Sequence, residues 1–285
     1  GQPGDGVILA VVGILGFIGK EAFPLFREAR SAALPALALK APGGIIQDES
    51  RHALMTLDPA AGVRAYTLPG PAPREVGGSA PALPWAALMA PSPKGEFAVV
   101  AADGRLYLGR SGWDKPSGEN DPRSWSPQVQ WSSGHRVAAA VRALLHARTV
   151  AAGGLGGGEN LRVAVLLDAG LAWGEVPLEG DAELALKPVE LPDGGRPQVA
   201  QWSQDGQQLV VGTREGVLHI LAVEGDAKPL RSAAFGEGIT ALGHALGGNS
   251  ILVGGAGGSV AAYQQVRVNE QMSLQAFHRF GPLRG

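Results

Sequence analysis

One short pattern recurs along this chain: an apolar strand, a tight turn that ends in glycine, and a second strand of alternating polarity. The stretch "LVVGTREGVLHIL" at 209–221 aligns with "ILVGGAGGSVAAY" at 251–263 at an offset of 42 residues. At that offset Gly212 and Gly216 both fall on glycines of the second copy. Glycine suits the last position of the turn because it readily adopts the positive φ that tight hairpins require. A repeated hairpin restricts the chain to folds made of many similar β-units.

Three further copies carry the same turn glycine, at 53–68, 98–110 and 163–176. Copies start about 40 to 45 residues apart, a spacing typical of a β-propeller, in which four-stranded blades surround a central channel. The polar stretch 111–128 interrupts the spacing and is interpreted as an inserted loop. The plan resembles the WD40 type, although the Trp-Asp dipeptide is missing at the blade ends. We therefore predict a mainly β, WD40-like propeller over 31–276 with at least five blades; a pair of β-sandwiches is the alternative.

Glycine and proline support a β-rich reading of the chain beyond residue 40. There are 43 glycines and 21 prolines among 285 residues, and this glycine content is about twice the ordinary level of roughly 7%. Such a composition disfavours long helices. The stretch "GHRVAAAVRALLHARTVAAGG" at 134–154 conflicts with this, because its apolar residues have helical spacing. It is compatible with a short helix on a loop or with an alanine-rich blade strand.

The start of the chain is strongly apolar. Residues 7–19 carry no charge, Lys20 and Glu21 follow, and "AFPLF" resumes the apolar character. A membrane span needs about 20 mostly apolar residues, and Lys20 can extend its ammonium to the interface. We therefore predict a transmembrane helix over 7–26, within an N-terminal segment 1–30. A signal-like segment and a buried soluble helix are the alternatives. A phosphate-binding loop is excluded, because five residues separate Gly13 from Gly19 and a carboxylate follows Lys20.

Few residues in the sequence carry recognisable chemistry. The net charge is −2 and there is no cysteine, so neither a basic nucleic-acid-binding face nor a thiolate site is expected. The Gly-x-Ser-x-Gly elbow is absent. Asp103, Asp205 and Glu215 are interpreted as turn residues. We predict no catalytic residue, no metal ligand, no cofactor and no nucleic-acid partner, and hence a protein that is not an enzyme.

The histidines and tryptophans are interpreted as structural. None of the six histidines pairs with another at metal-ligand spacing, and His219 fits a strand-face role better than catalysis. Tryptophans are expected to fill blade interfaces rather than to form a binding surface. The histidines are His52, His135, His146, His219, His244 and His278, and the tryptophans are Trp85, Trp113, Trp125, Trp131, Trp173 and Trp202.

The N-terminal element "GKEAFPLF" at 19–26, followed by a glycine-rich propeller region, resembles the long proteobacterial permease subunits of phosphate-specific ABC transporters. In that family a first transmembrane helix ends in a Glu-Ala-x-Pro-Leu-Phe element, and an extracytoplasmic β-rich domain precedes the permease bundle. The closing "FHRFGPLRG" at 277–285 is similar to the link before that bundle. The resemblance implies a bacterial inner-membrane protein with a periplasmic β domain.

This resemblance also implies partners and a role. The β domain would serve as a docking or regulatory surface near the permease, the nucleotide-binding subunit and a substrate-binding protein. A self-contained, membrane-anchored scaffold for an envelope complex is the alternative.

Charges around the predicted span favour the opposite orientation to the one that the resemblance implies, since Lys20, Arg27 and Arg30 follow the span while Asp5 precedes it. By the positive-inside rule alone, the β domain would lie in the cytoplasm.

Overall fold

The structure is a computed structural model that describes residues 43–48, 53–68, 73–74, 76–77, 80–92, 94–114, 125–152, 158–245, 248, 250–268 and 271–281. The chain divides into a unit Gly1–Leu37 and a unit Ala38–Gly285. The first unit, with the predicted span at 7–26, lies outside the described residues. Within the described residues, no helix is long and apolar enough to cross a membrane.

The strands of the described residues form five sheets, and each sheet pairs strands that are consecutive in the chain. Sheet 1 contains β1 (Gly44–Gln47), β2 (Ala53–Asp58), β3 (Gly62–Thr67) and β4 (Pro73–Arg74). Sheet 2 contains β5 (Trp85–Leu88), β6 (Glu96–Ala101), β7 (Arg105–Asp114), β8 (Ser126–Trp131) and β9 (His135–Arg136), which pairs with β7. Sheet 3 contains β10 (Ala143–Ala151), β11 (Glu159–Leu167), β12 (Gly170–Pro177) and β13 (Leu186–Pro188). Sheet 4 contains β14 (Pro197–Trp202), β15 (Gln208–Thr213), β16 (Val217–Glu224) and β17 (Asp226–Ala234), and sheet 5 contains β18 (Ile239–His244), β19 (Ser250–Gly255), β20 (Val260–Val268) and β21 (Gln271–Phe280).

Each predicted repeat unit is the central hairpin of one sheet. The copies at 209–221 and 251–263 correspond to β15–β16 and β19–β20, with antiparallel registers such as Val211↔His219 and Val253↔Ala261. All five repeat glycines have positive φ, as predicted from the turn pattern. They are Gly62 (φ 77), Gly104 (φ 74), Gly170 (φ 122), Gly216 (φ 85) and Gly258 (φ 82).

Apolar cores lie between consecutive sheets, as expected for propeller blades. Buried clusters join sheets 1 and 2, sheets 2 and 3, sheets 3 and 4, and sheets 4 and 5. Sheets 2, 3 and 4 therefore bury both of their faces, whereas a sheet in a two-layer sandwich buries only one. First strands are neighbours in space, because β10 contacts β5 and β14, and β14 contacts β18. We call β1, β5, β10, β14 and β18 the inner strands and the last strand of each four-stranded path the outer strand.

Tryptophan fills the blade interfaces, which confirms the prediction for the buried members of this set. Trp173 of sheet 3 and Trp202 of sheet 4 meet edge-to-face with ring centroids 6.1 Å apart. Between sheets 1 and 2, Trp85 is 3% exposed and stands edge-to-face with Trp131 at 5.9 Å. Such pairs contribute about 0.5–1.5 kcal/mol beyond the burial of their area.

Two details of the sequence interpretation change. The stretch 111–128 is not wholly an inserted loop, because its ends continue β7 and β8 and pair through Ser111↔Val129 and Trp113↔Pro127. The ambiguous stretch 134–154 contains strands β9 and β10 rather than a helix. Val137 and Val141 precede β10, and a β-bulge between Leu144 and His146 shifts the alternation within that strand, so the helical spacing combined residues of a connection and a strand. In addition, β21 runs to Phe280, into the segment 277–285 for which a link was predicted.

Candidate functional site

Polar residues gather where the inner strands of sheets 3, 4 and 5 lie side by side. His244 is paired with Ile251 at the end of β18, just as Trp202 is paired with Leu209 at the end of β14. The repeat thus places a histidine in sheet 5 where sheet 4 has a buried tryptophan. His146 on β10 reaches the same strand end from sheet 3, because its Nδ1 lies 3.5 Å from the backbone nitrogen of Trp202.

Both histidines are held in the neutral form. Burial away from solvent, together with the positive charge of Arg148 and the neighbouring His244, lowers the pKa of His146 from 6.5 to about 4. Desolvation also lowers the pKa of His244, despite opposing contributions from the nearby backbone of Trp202 and Gly248. Two neutral imidazoles at neutral pH can each donate one hydrogen bond and accept another.

Several buried polar atoms at this place have no hydrogen-bond partner. Among the described residues, they include both ring nitrogens of His244, Nε of Arg148 and Oε1 of Gln201. Each such atom costs roughly 1–3 kcal/mol when it is cut off from water without a partner. Native proteins keep few of them, so their concentration at one strand end marks a site that a ligand can complete.

Around these atoms the loop between β14 and β15 is well fixed. Asp205 Oδ1 accepts hydrogen bonds from Ser203 Oγ at 2.5 Å and from the backbone N–H of Gln207 at 3.0 Å. The backbone oxygen of Gln204 accepts a hydrogen bond from the Arg148 guanidinium of sheet 3. Hydrogen bonds to its charged form lower the pKa of Asp205, against the opposing effect of its partial burial.

A cleft of about 510 Å³ opens beside this cluster, between sheets 4 and 5. We call it the sheet 4–5 cleft. Its lining is rich in amides and contains one imidazole, one carboxylate and three apolar side chains. One of its amide pairs is already joined, since Gln265 Nε2 donates to Gln208 Oε1 at 3.0 Å. The lining residues are Ser203, Gln204, Asp205, Gln208, Val210, His244, Gly248, Ile251, Gln264, Gln265 and Met272.

A second cleft, of about 530 Å³, lies between sheets 2 and 3 and is lined by Arg110, Trp131 and Glu179 among others. Its arginine is already engaged, because Arg110 pairs with Glu96 at 3.1 Å and with Glu159 at 2.9 Å. Since its principal charge is satisfied within the protein, this cleft is the weaker candidate.

Two of the three acidic residues that the sequence assigns to turns stabilise those turns through their side chains. Asp103 Oδ1 accepts the backbone N–H of Arg105 at 3.0 Å, and Asp205 forms the equivalent contact with Gln207. Glu215 instead pairs with Arg196 at 2.7 Å. Among the described residues, no group of three or more His, Cys, Asp or Glu side chains is arranged to hold a metal ion.

His219 has partners that the sequence did not reveal. Its Nδ1 lies 2.7 Å from Ser232 Oγ on the outer strand β17, and its Nε2 lies 3.2 Å from Asp193 Oδ1 in the loop before β14. No sequence motif links these residues, because Ser232 reaches His219 only through the β16–β17 register. In the same way, His146 and His244 are separated by tens of residues and lie close together only because the inner strands are neighbours.

No protein-family model and no curated protein sequence matches the chain. Among solved structures, the β-propeller domain of Myceliophteria thermophila Cps50 (Swd1) is similar at 14% identity and a TM-score of 0.51, over 85% of this chain and 72% of that one. The Pseudomonas aeruginosa periplasmic gluconolactonase is similar at 14% identity and a TM-score of 0.49, over 88% and 75%. A putative 6-phosphogluconolactonase from Bacteroides fragilis gives 10% identity and a TM-score of 0.49, over 89% and 74%.

The similarity to the Cps50 (Swd1) propeller domain supports the β-propeller fold, and one prediction is corrected. The prediction that the chain is not an enzyme does not stand, since the structures with a similar fold include proteins described as a gluconolactonase and a putative 6-phosphogluconolactonase. The absence of a familiar motif from a propeller sequence therefore does not exclude catalysis. At 10% to 14% identity the likeness concerns the fold alone and assigns no substrate. None of the three is described as a transport permease, so only the propeller part of the family resemblance is supported.

Proposed function

We propose that this chain is the β-propeller binding domain of a bacterial membrane transport complex of the phosphate-specific ABC type. Its docking site is the sheet 4–5 cleft together with the polar residues around His244. The partner that fits the proposal is the substrate-binding protein of the same transporter. The observation that carries the docking site is the cluster of buried polar atoms without partners at the end of the inner strands.

Chemistry at the cleft favours a protein surface over a free anion. Its two nearby charges are of opposite sign, since Arg148 lies close enough to Asp205 to lower the pKa of that carboxyl. Its histidine is neutral and most of its other polar groups are amides. Such groups pair with backbone amides, hydroxyls and side-chain amides, which are the groups a polar protein interface presents. Phosphate itself would be handled elsewhere in the complex.

The membrane part of the proposal is supported by the sequence. Residues 7–26 have the length and apolar character of a span, and "GKEAFPLF" at 19–26 provides the resemblance to the permease family. A propeller placed after such a segment would stand at the membrane surface, and the family resemblance favours the periplasmic side.

A purification from native membranes tests this function. The full chain, tagged and isolated in mild detergent, is expected to copurify with an ATPase subunit and a substrate-binding protein. His244→Ala is expected to reduce recovery of the substrate-binding protein at least tenfold without changing recovery of the ATPase subunit. The matched control is His278→Ala, which changes an exposed histidine on the outer strand β21. A complex without any ATPase subunit would overturn the transport proposal and favour a self-contained envelope scaffold.

A further inference from the structure

Ser232, His219 and Asp193 stand in the order of an activated nucleophile, its base and the group that orients the base. We propose that these three residues form a second site, which hydrolyses carboxylic esters with small acyl groups through an acyl-enzyme on Ser232. This site lies on sheet 4 and uses none of the residues of the sheet 4–5 cleft.

The distances satisfy the requirements for such a site. Ser232 Oγ lies 2.7 Å from His219 Nδ1, within the range expected between a nucleophile and its base. On the other side of the ring, His219 Nε2 lies 3.2 Å from Asp193 Oδ1. The N–H of Nε2 is not well aligned with that oxygen, so the Asp193 carboxylate acts on the neutral ring as a nearby negative charge. Contacts of this kind commonly tighten when substrate binds.

Burial differs across the three residues in the way that catalysis needs. The His219 side chain is 1% exposed, whereas Asp193 is 35% exposed and Ser232 is exposed on the outer strand. A base shielded from water keeps its proton-accepting nitrogen for the serine, while the nucleophile remains accessible to substrate. Desolvation lowers the pKa of His219, which keeps the imidazole neutral and able to accept a proton.

Asp193 is itself held in place, because its Oδ1 also accepts the backbone N–H of Gly195 at 3.0 Å. A fixed carboxylate beside Nε2 favours the tautomer with the proton on Nε2 and the lone pair on Nδ1. The Ser232 hydroxyl then donates its hydrogen bond to Nδ1. The ring nitrogens have exchanged roles relative to the usual serine triad, but the proton path is chemically equivalent.

The reaction follows from this arrangement. Ser232 Oγ forms a bond to the ester carbonyl carbon while its proton passes to His219 Nδ1. The C–O bond to the leaving alkoxide breaks, and that alkoxide takes the proton from the imidazolium to leave as the alcohol. Water then attacks the acyl carbon and gives a proton to Nδ1. Ser232 Oγ departs from the carbon, takes that proton, and the carboxylic acid is released.

The open position of Ser232 sets the substrate class. It lies on an outer strand rather than at the bottom of a deep cleft, so it can reach unhindered carbonyl groups but offers little enclosing surface. Small acyl groups with good leaving alcohols are therefore the expected substrates, and a proton-transfer contribution of about 10²–10⁴ sets the scale of the rate enhancement.

A fluorophosphonate reagent tests the proposal on the full chain without partners. The reagent bonds to an activated serine oxygen with loss of fluoride, and mass spectrometry of peptides locates the adduct. Labelling is expected at Ser232 at least tenfold faster than at Ser259, a matched control whose hydroxyl bonds to the carboxylate of Glu237 without an imidazole. In Ser232→Ala, the rate of p-nitrophenyl acetate hydrolysis and the labelling rate are both expected to fall.

A second variant separates catalysis from a purely structural contact. Asp193→Asn changes a partly exposed residue and is expected to preserve folding while lowering the labelling rate at Ser232 several-fold. Equal labelling of Ser232 and Ser259, or an unchanged rate in folded Asp193→Asn, would overturn the site and leave a structural brace between β16 and β17. Neither result bears on the docking proposal, since the test involves neither the cleft nor a partner.

Discussion

The backbone N–H of Trp202 on β14 lies 3.5 Å from Nδ1 of His146 on β10. Sheets 3 and 4 therefore meet through a polar contact beside their shared apolar core. This contact requires a neutral imidazole, because a protonated Nδ1 has no lone pair to offer. This contact places His146 at the proposed docking site, and desolvation between the two blades lowers the pKa of its ring.

Acid is expected to destabilise the protein through His146. Its pKa in the folded state, about 4, is below the ordinary 6.5, so the unfolded chain binds the proton more readily. The stabilisation is complete above about pH 6.5 and is lost as the pH falls towards 4, by at most about 3 kcal/mol. Because the ring keeps some accessible surface, solvent screening reduces this figure.

Urea unfolding at pH 7.5, 5.5 and 4.5 measures this effect. His146→Gln, which cannot titrate, is expected to lose less stability than the wild type over that interval, because the other groups with a lowered folded-state pKa, among them His219, His244 and Asp205, contribute equally to both proteins. Identical losses in the wild type and in His146→Gln would contradict the assignment of His146 as a neutral interface histidine.

Gly216→Ala is expected to destabilise sheet 4 more than Gly104→Ala destabilises sheet 2. Both glycines have positive φ, which costs a non-glycine residue roughly 1–2 kcal/mol. A Cβ at position 216 would also lie 2.6 Å from the backbone oxygen of Glu237, whereas a Cβ at position 104 meets nothing within 4 Å. Denaturation midpoints should therefore fall for both variants and fall further for Gly216→Ala. Equal midpoints would mean that the close approach in the turn relaxes without cost.

Trp202→Ala is expected to lower the free energy of unfolding by about 3–5 kcal/mol, because it leaves a cavity in the interface between sheets 3 and 4. Trp202 is fully buried and packs edge-to-face on Trp173. Phe277→Ala is the control, since its ring is 58% exposed, and a surface change of this kind is within about 0.5 kcal/mol. A small effect at Trp202 would show that the two sheets do not form a shared core.

Arg162→Met is expected to cost about 1–3 kcal/mol. Arg162 pairs with Glu175 at 2.7 Å, with side chains only 17% and 26% exposed, and also bonds the backbone oxygen of Gly206 in the next sheet. Arg142→Met is the matched control, because the Arg142–Asp168 pair is 62% and 86% exposed and contributes little. Calorimetric unfolding of both variants compares the two pairs directly. A loss at Arg142 as large as that at Arg162 would contradict the link between the sheets.

Local patterns in the sequence were enough to predict the hairpins. The turn glycines report a backbone conformation directly, so all five central hairpins could be placed from single positions such as Gly216 and Gly258. The inner strand β10 could not be placed in this way, because its apolar spacing runs on from Val137 and Val141 in the preceding connection and is shifted by a bulge inside the strand. The pairing of β7 with β8 at the ends of 111–128 was not predicted, because polar residues and prolines hide the alternation of apolar and polar residues in these strands.

The candidate sites depend on distances in space that spacing along the chain does not encode. His146 and His244 are brought together only by the order of the inner strands. Ser232 meets His219 through a register that contains a bulge between Ile220 and Leu221. Neither arrangement leaves a motif, since each residue comes from a different strand or loop. Sites of this kind in a repeat fold can therefore be recognised only from the three-dimensional arrangement of the blades.

Site-directed photo-crosslinking in native membranes tests the central claim most directly. A benzophenone amino acid replaces Gln204, an exposed residue that lines the sheet 4–5 cleft. In a second full-length variant it replaces Asp168, which is also exposed but lies in the β11–β12 turn, at the opposite end of the strands from the β14–β15 turn. The account predicts a crosslink from position 204 to a substrate-binding protein of a transport complex and none from position 168. Equal crosslinking from both positions, or a product at position 204 that contains no transport component, would contradict it.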